Sequence, residues 1–223
     1  MKMPLARNVE PELMESEADA LEYAAINRGA EVVLFFDFIS GTPGPRVIDL
    51  GSGPGELTAG LCRRLPGAAF TAVENSPAMF ALAEKEYAAE GLSGRVRLLR
   101  ADAKNTALPA GSFDWVISNN LAHHLADPAP LFAEIARLCA PGAGLFIRDL
   151  RRPETEGELE AIAAHCPSST PRQRELLRAS LRAALRTEEA EAFALAAGLS
   201  GFTAEAAGPR HWELRRPRRA LKV

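Results

Sequence analysis

Cysteine is scarce in this chain, with three among 223 residues: Cys62, Cys139 and Cys166. They lie far apart and none has the close spacing of a metal-ligand set, so no metal is expected. Cys62 and Cys139 fall among apolar residues that read as helix, where a thiol behaves as a small buried hydrophobe. The odd count also suits a reducing compartment. An excess of positive charge is lacking too. Lys and Arg number 26 against 29 Asp and Glu, for a net charge of −3 and a pI near 5.9. That balance argues against generic binding to nucleic acid or to an acidic membrane. No apolar run reaches the length of a membrane span. The opening stretch, MKMPLARNVEPELMESEADALEY, is too acidic and too polar for a secretory signal, so the expected location is cytoplasmic. Internal repeats and low-complexity linkers are also missing, which leaves one domain.

What is present is ordinary globular material, 47% hydrophobic and 25% charged, at a length that suits one α/β domain with a sizeable core. Charge is uneven at the two ends. Residues 10–22 are acidic and residues 210–222 basic, and both runs are read as solvated faces.

Between them strand and helix alternate. Short apolar runs at 46–50, 69–74, 95–100, 113–119 and 143–150 read as buried parallel strands. Helical spacing is found at 55–65, at 77–90 with Pro77 in its first turn, and at 129–140, which a Pro141-Gly142 turn would close. Two helices are expected over 154–185 with a break at 167–171, and another over 187–199. The segments 201–207 and 211–216 flank Gly208-Pro209 as an antiparallel hairpin. Alternation of this kind implies right-handed crossovers and a doubly wound sheet, and the closing hairpin separates it from a dehydrogenase domain.

The sharpest motif is VIDLGSGPGELT at 47–58, in which Gly51, Gly53 and Gly55 follow a strand and open a helix. Such a turn lets backbone N–H groups approach a ligand in the crevice beyond the strands' carboxyl ends. Glu74 ends the second strand, where a carboxylate can accept from two ribose hydroxyls. Asp102, with Ala103 beside it, follows the third strand and is placed to accept from an adenine amino group. Asn119 and Asn120 end the fourth. Four consecutive strands thus end in residues suited to one adenosyl ligand. A nicotinamide dinucleotide is the rival, since an acid about 20 residues past the glycines also suits its ribose. The third glycine of that fingerprint, however, would fall at Glu56, whose charge at a helix start would repel a pyrophosphate.

The glycine motif (47–55), Glu74, Asp102, SFDWVISNNLAHHL and APLFAEIARLCAPGAGLFI together resemble the motifs of class I S-adenosylmethionine (SAM)-dependent methyltransferases, over about residues 45–150. The resemblance implies a Rossmann-like α/β fold whose seven-stranded sheet has the order 3-2-1-4-5-7-6, the last strand antiparallel, with helices on both faces. It implies SAM as cofactor and S-adenosylhomocysteine as product, with Gly51 and Gly53 at the methionine moiety, Glu74 at the ribose and Asp102 at the adenine. The full expected cofactor set is Asp49, Gly51, Ser52, Gly53, Gly55, Glu74, Asn75, Met79, Asp102, Ala103 and Asn119. Within a single domain (1–223), residues 1–44 are expected to form a helical lid that carries Tyr23, Asn27 and Arg28, or to pack on the sheet edge. Residues 45–150 are the SAM-binding core, 151–186 a helical cover over the substrate, and 187–223 the closing helix, hairpin and basic tail.

Methyl transfer from a sulfonium is an in-line displacement, so the protein chiefly aligns the acceptor and excludes water. A general base is needed when the acceptor is a hydroxyl or a protonated amine. His123 and His124 follow the fourth strand and Asp149 ends the fifth, and these are the candidate catalytic residues, with His123 favoured over His124. Some natural-product O-methyltransferases are similar here. Arg148, Arg151 and Arg152 either clamp an anionic acceptor or are surface residues paired with Glu154 and Glu156. The expected partner is a small-molecule acceptor methylated at oxygen or nitrogen, with no membrane and no nucleic acid, and with a monomer or homodimer as the assembly. A catalytically silent SAM-binding partner protein, or a nucleic-acid or protein methyltransferase, is the alternative.

Overall fold

The computed structural model of the protein describes residues 5–10, 17–25, 29–41, 44–165 and 170–219. Seven strands make one sheet: β1 (Arg46–Leu50), β2 (Ala69–Glu74), β3 (Val96–Arg100), β4 (Phe113–Asn119), β5 (Cys139–Leu150), β6 (Thr203–Ala207) and β7 (His211–Arg216). Their order is β3-β2-β1-β4-β5-β7-β6, parallel from β3 to β5, with β7 antiparallel to both of its neighbours. This is the expected Rossmann-like sheet. The helices are α1 (Glu17–Ala24), α2 (Gly29–Ile39), α3 (Glu56–Arg64), α4 (Pro77–Ala89), α5 (Ala129–Leu138), α6 (Glu156–Ala164), α7 (Pro171–Ala183) and α8 (Thr187–Ala196).

Side chains alternate across each strand, and both faces of this sheet are covered. On β4, Trp115 and Ile117 enter one apolar cluster and Val116 the other; on β5, Phe146 joins the first and Leu145 and Ile147 the second. Helices α2, α3 and α4 supply Phe35, Leu61 and Ala83 to the first face, while α5 and α8 supply Phe132, Ile135 and Ala190 to the second. The indole of Trp115 lies across β5 so closely that a Cβ on Gly144 would meet it at 2.3 Å. A third, smaller cluster joins Leu159 and Ile162 of α6 to Leu181 of α7 and Leu150 of β5, with Leu5 against it.

Three expectations change. Helix α5 stops at Leu138, two residues early, because Ala140 precedes a proline and is driven out of helical geometry. Pro141 and Gly142 are then not a turn before the strand but an irregularity inside β5, where the register against β4 shifts between Phe113 and Trp115. Finally, α2 is not part of a lid. Its Val32, Phe35 and Ile39 are buried on the sheet face, and Phe35 stacks on Phe146 at 4.2 Å between ring centroids. Among the described residues no helix is long and apolar enough to cross a membrane.

Candidate active site

The carboxyl ends of β1, β2, β3 and β4 open on a cleft. Gly51, Glu74, Asn75, Met79, Asp102, Ala103 and His124 line it, together with Tyr23 of α1 and Asn120 and Leu121 after β4.

The loop after β1 is built from left-handed glycines. Gly51, Gly53 and Gly55 have φ of 72°, 56° and 91°, conformations that L side chains rarely adopt. A Cβ on Gly51 would also lie 2.8 Å from Leu121, so the loop and the turn after β4 pack with no room to spare. Glu74 ties this loop to the next. Its carboxylate accepts from Gly53 N–H at 2.9 Å and from Ser76 N–H at 2.7 Å. Burial raises its pKa, while the N–H bonds of Ser76 and Gly53 pull the other way. Ser76 caps α4 by accepting from Met79 N–H, which fixes the turn that carries Met79 into the cleft.

Asp49 stands apart from the lining. It is buried behind the loop, where Oδ2 accepts from the Thr58 hydroxyl at 2.6 Å and Oδ1 has no partner. Burial, with a smaller push from Glu74, raises its pKa to about 7. Ser52, Gly53, Gly55 and Asn119 also lie off the lining. Gly53 reaches its rim, where a Cβ would touch the Tyr23 ring at 3.8 Å. Asn120 replaces Asn119 at the cleft, turned there by a left-handed backbone with φ of 58°. Asp102 accepts from Lys104 N–H at 2.8 Å and pairs with the Lys104 ammonium at 3.2 Å.

The far end of the cleft is formed by the 3-10 turn Ala122–His124. Of the two histidines, of which His123 was favoured, His124 lines the cleft and His123 is buried behind it. His123 Nδ1 is 2.6 Å from Asp149 Oδ1, and the same carboxylate accepts from Ala122 N–H and Leu150 N–H. Asp149 thus orients the His123 ring. Burial opposes charge on His123, but the charge and hydrogen bond of Asp149, with Glu10, outweigh it and raise its pKa. For His124, burial and the neighbouring His123 charge lower the pKa against the pull of Glu10.

Glu10 is the residue that sequence reasoning missed. Its Oε1 lies 2.9 Å from His124 Nδ1 and 3.7 Å from His123 Nε2. It had been read only as one charge in an acidic run, and nothing local to position 10 points to a histidine more than a hundred residues away. The segment 5–10 reaches the turn because it is strapped down. Arg7 donates to the carbonyls of Ala183 and Leu125, Asn8 N–H to that of Arg182, and Ser180 Oγ to Glu10.

The arginines near Asp149 do not enter the cleft. Arg148 pairs with Glu213, Arg151 with Glu158 and Arg152 with Glu189, not with Glu154 or Glu156 as expected, and Arg152 is buried rather than on the surface. Cys62 is buried on α3, but Cys139 opens β5 half-buried. Asn27, Arg28 and Cys166 lie outside the described residues.

Residues 48–147 match the family model described as a methyltransferase domain. That span contains the glycine loop, Glu74, Asp102 and both histidines of the turn. It is similar in sequence and fold to the domain of class I SAM-dependent methyltransferases. Among curated relatives, the demethylmenaquinone methyltransferase of Thermus thermophilus is 35% identical over 108 residues, 48% of each chain. A SAM-dependent methyltransferase from Aquifex aeolicus shares the fold at a TM-score of 0.66 and 18% identity, over 90% of this chain and 97% of that one. Phosphoethanolamine N-methyltransferase 2 of Haemonchus contortus, solved with SAM, superposes at a TM-score of 0.69 and 21% identity, over 87% of this chain and 44% of that one. The matches span about half the length of such curated relatives. The matched region ends before α6, so the strap and the α6–α7 pair lie outside it.

Proposed function

We propose that this protein transfers a methyl group from SAM to an oxygen or nitrogen of a small-molecule acceptor. The observation that carries the reading is one cleft with two unlike ends: Gly51, Glu74 and Asp102 at one, and His124 held by Glu10 at the other.

The first end fits SAM. Glu74 accepts backbone hydrogen bonds through both oxygens and keeps remaining lone pairs for ribose hydroxyls. When bound, SAM supplies the methyl group, its C–S bond breaking as the acceptor's lone pair bonds to carbon and the sulfur keeps the electron pair. Tyr23 and Leu121 line the same cleft and supply apolar surface that keeps water from the reacting atoms. The Glu10–His124 pair readies the acceptor's nucleophilic atom, and the proton lost from that atom ends in solvent.

The acceptor is read as small because the strap and α7 meet at His124 through Glu10 and Ser180, and the arginines that would hold an extended anion are consumed in ion pairs. Calorimetry with the purified chain should show one S-adenosylhomocysteine bound per protein and no NAD. Binding of NAD in preference to S-adenosylhomocysteine would overturn the reading.

A further inference from the structure

Two imidazoles and a carboxylate converge where the strap crosses the turn after β4. The nearest ring nitrogens of His123 and His124 and one oxygen of Glu10 all lie within 4.8 Å of one another. Glu10 Oε1 stands 2.9 Å from His124 Nδ1 and 3.7 Å from His123 Nε2. Around a tetrahedral zinc with bonds of about 2.0–2.2 Å, neighbouring ligand atoms sit roughly 3.4 Å apart, between those two separations. We propose that Glu10, His123 and His124 form a binding site for a divalent transition metal, with zinc the ion best suited to two imidazoles and one carboxylate.

The surroundings are those of a metal site. Asp149 holds His123 Nδ1 at 2.6 Å and is itself fixed by the N–H groups of Ala122 and Leu150, which leaves Nε2 as the free nitrogen turned toward Glu10. A carboxylate behind a histidine in this way sets the ring's tautomer and orientation for an ion. Glu10 is steadied in turn by Ser180 Oγ at 3.1 Å, and its backbone by the strap. Three protein ligands leave a fourth position open, the pattern of catalytic rather than structural zinc. His124 lines the cleft, so the ion sits at its acceptor end.

This deepens the function proposed above and rests on it only for what the ion does there. A hydroxyl in the open position loses its proton to solvent more readily, because the ion stabilises the oxyanion. That oxygen then forms the new O–C bond while the sulfonium's C–S bond breaks. The acceptor class becomes an ionisable hydroxyl, phenolic or enolic, rather than an amine.

The test uses the full chain after dialysis against a chelator. Zn²⁺ is titrated by calorimetry and Co²⁺ by its visible absorption. One ion per chain, with the intense bands of four-coordinate Co²⁺, is the expected result. Glu10→Gln, which keeps the side chain's shape, should weaken binding about a hundredfold, and Asp149→Asn about 10–100-fold through the second layer of contacts. His165→Ala, on an exposed residue beyond α6, should change nothing. Failure of the wild type to bind either ion, or equal affinity in Glu10→Gln, would overturn the site. S-adenosylhomocysteine titrated into the same metal-free protein separates the two proposals. If it binds where no ion does, only the metal site falls. If it fails to bind, the methyltransferase reading falls whatever the metal does.

Discussion

The two ends of the cleft are made in different ways. The cofactor end comes from three consecutive strand–loop junctions, each holding its functional residue within a few positions of a strand end: Gly51 after β1, Glu74 on β2 and Asp102 after β3. The acceptor end is assembled from segments far apart in the chain. The turn after β4, Asp149 on β5, the strap at 5–10 and Ser180 on α7 meet only once the fold is complete. The first end is a property of the sheet, and the second depends on whatever is laid over it. A common cofactor and a variable acceptor follow from that division.

The largest effect that sharpens this contrast is expected at His124. His124→Ala should reduce turnover about 10²–10⁴-fold, as loss of a group that readies the acceptor does, while S-adenosylhomocysteine affinity stays within about twofold. Steady-state rates and calorimetry on one preparation check it, and an equal fall in both would merge the two ends.

Next in size is a difference in how the two ends hold their acids. The carboxylates at the acceptor end face imidazoles, whereas Asp49 behind the cofactor end accepts from the Thr58 hydroxyl and feels the Glu74 charge. With a folded pKa of about 7 against an ordinary 3.8, the folded state holds a proton that the unfolded state has released. The stabilising contribution is therefore complete below about pH 4 and lost as pH rises through 7. Urea unfolding of the unliganded protein should show Asp49→Asn gaining on wild type across that window, by a few kcal/mol in all. Parallel stability curves would show that Asp49 is ionised throughout.

Glu74→Ala should cost roughly 1.5–3 kcal/mol of cofactor affinity, or about a tenfold to hundredfold loss, because it deletes acceptors for ribose and loosens the Gly53 and Ser76 N–H groups. Turnover at saturating SAM should fall far less than in His124→Ala.

How much of each end was legible in the sequence follows from the same division. The strands were readable as short apolar runs and the glycine loop as a local turn motif, with Glu74 at a strand end, while the strand order came from the resemblance to the methyltransferase family. The ranking of His123 and His124 was not, because adjacent residues in a 3-10 turn diverge and only Asp149 and Glu10 decide which ring is buried. Whether residues 1–44 covered the site or packed on the sheet was left open, because the apolar face of α2, Val32, Phe35 and Ile39, gains meaning only against Phe146 of a strand more than a hundred residues later. Arg152 shows the same limit: nearby Glu154 and Glu156 looked like its partners, but the fold delivers Glu189.

The central claim is that one cleft holds SAM at the Glu74 end and prepares the acceptor at the His124 end. Titrating S-adenosylhomocysteine calorimetrically into wild type, Glu74→Ala and His124→Ala tests it most directly. The account predicts one-to-one binding in wild type, about tenfold to hundredfold weaker binding in Glu74→Ala, and wild-type affinity in His124→Ala. Affinity unchanged in Glu74→Ala, or lost only in His124→Ala, would contradict it.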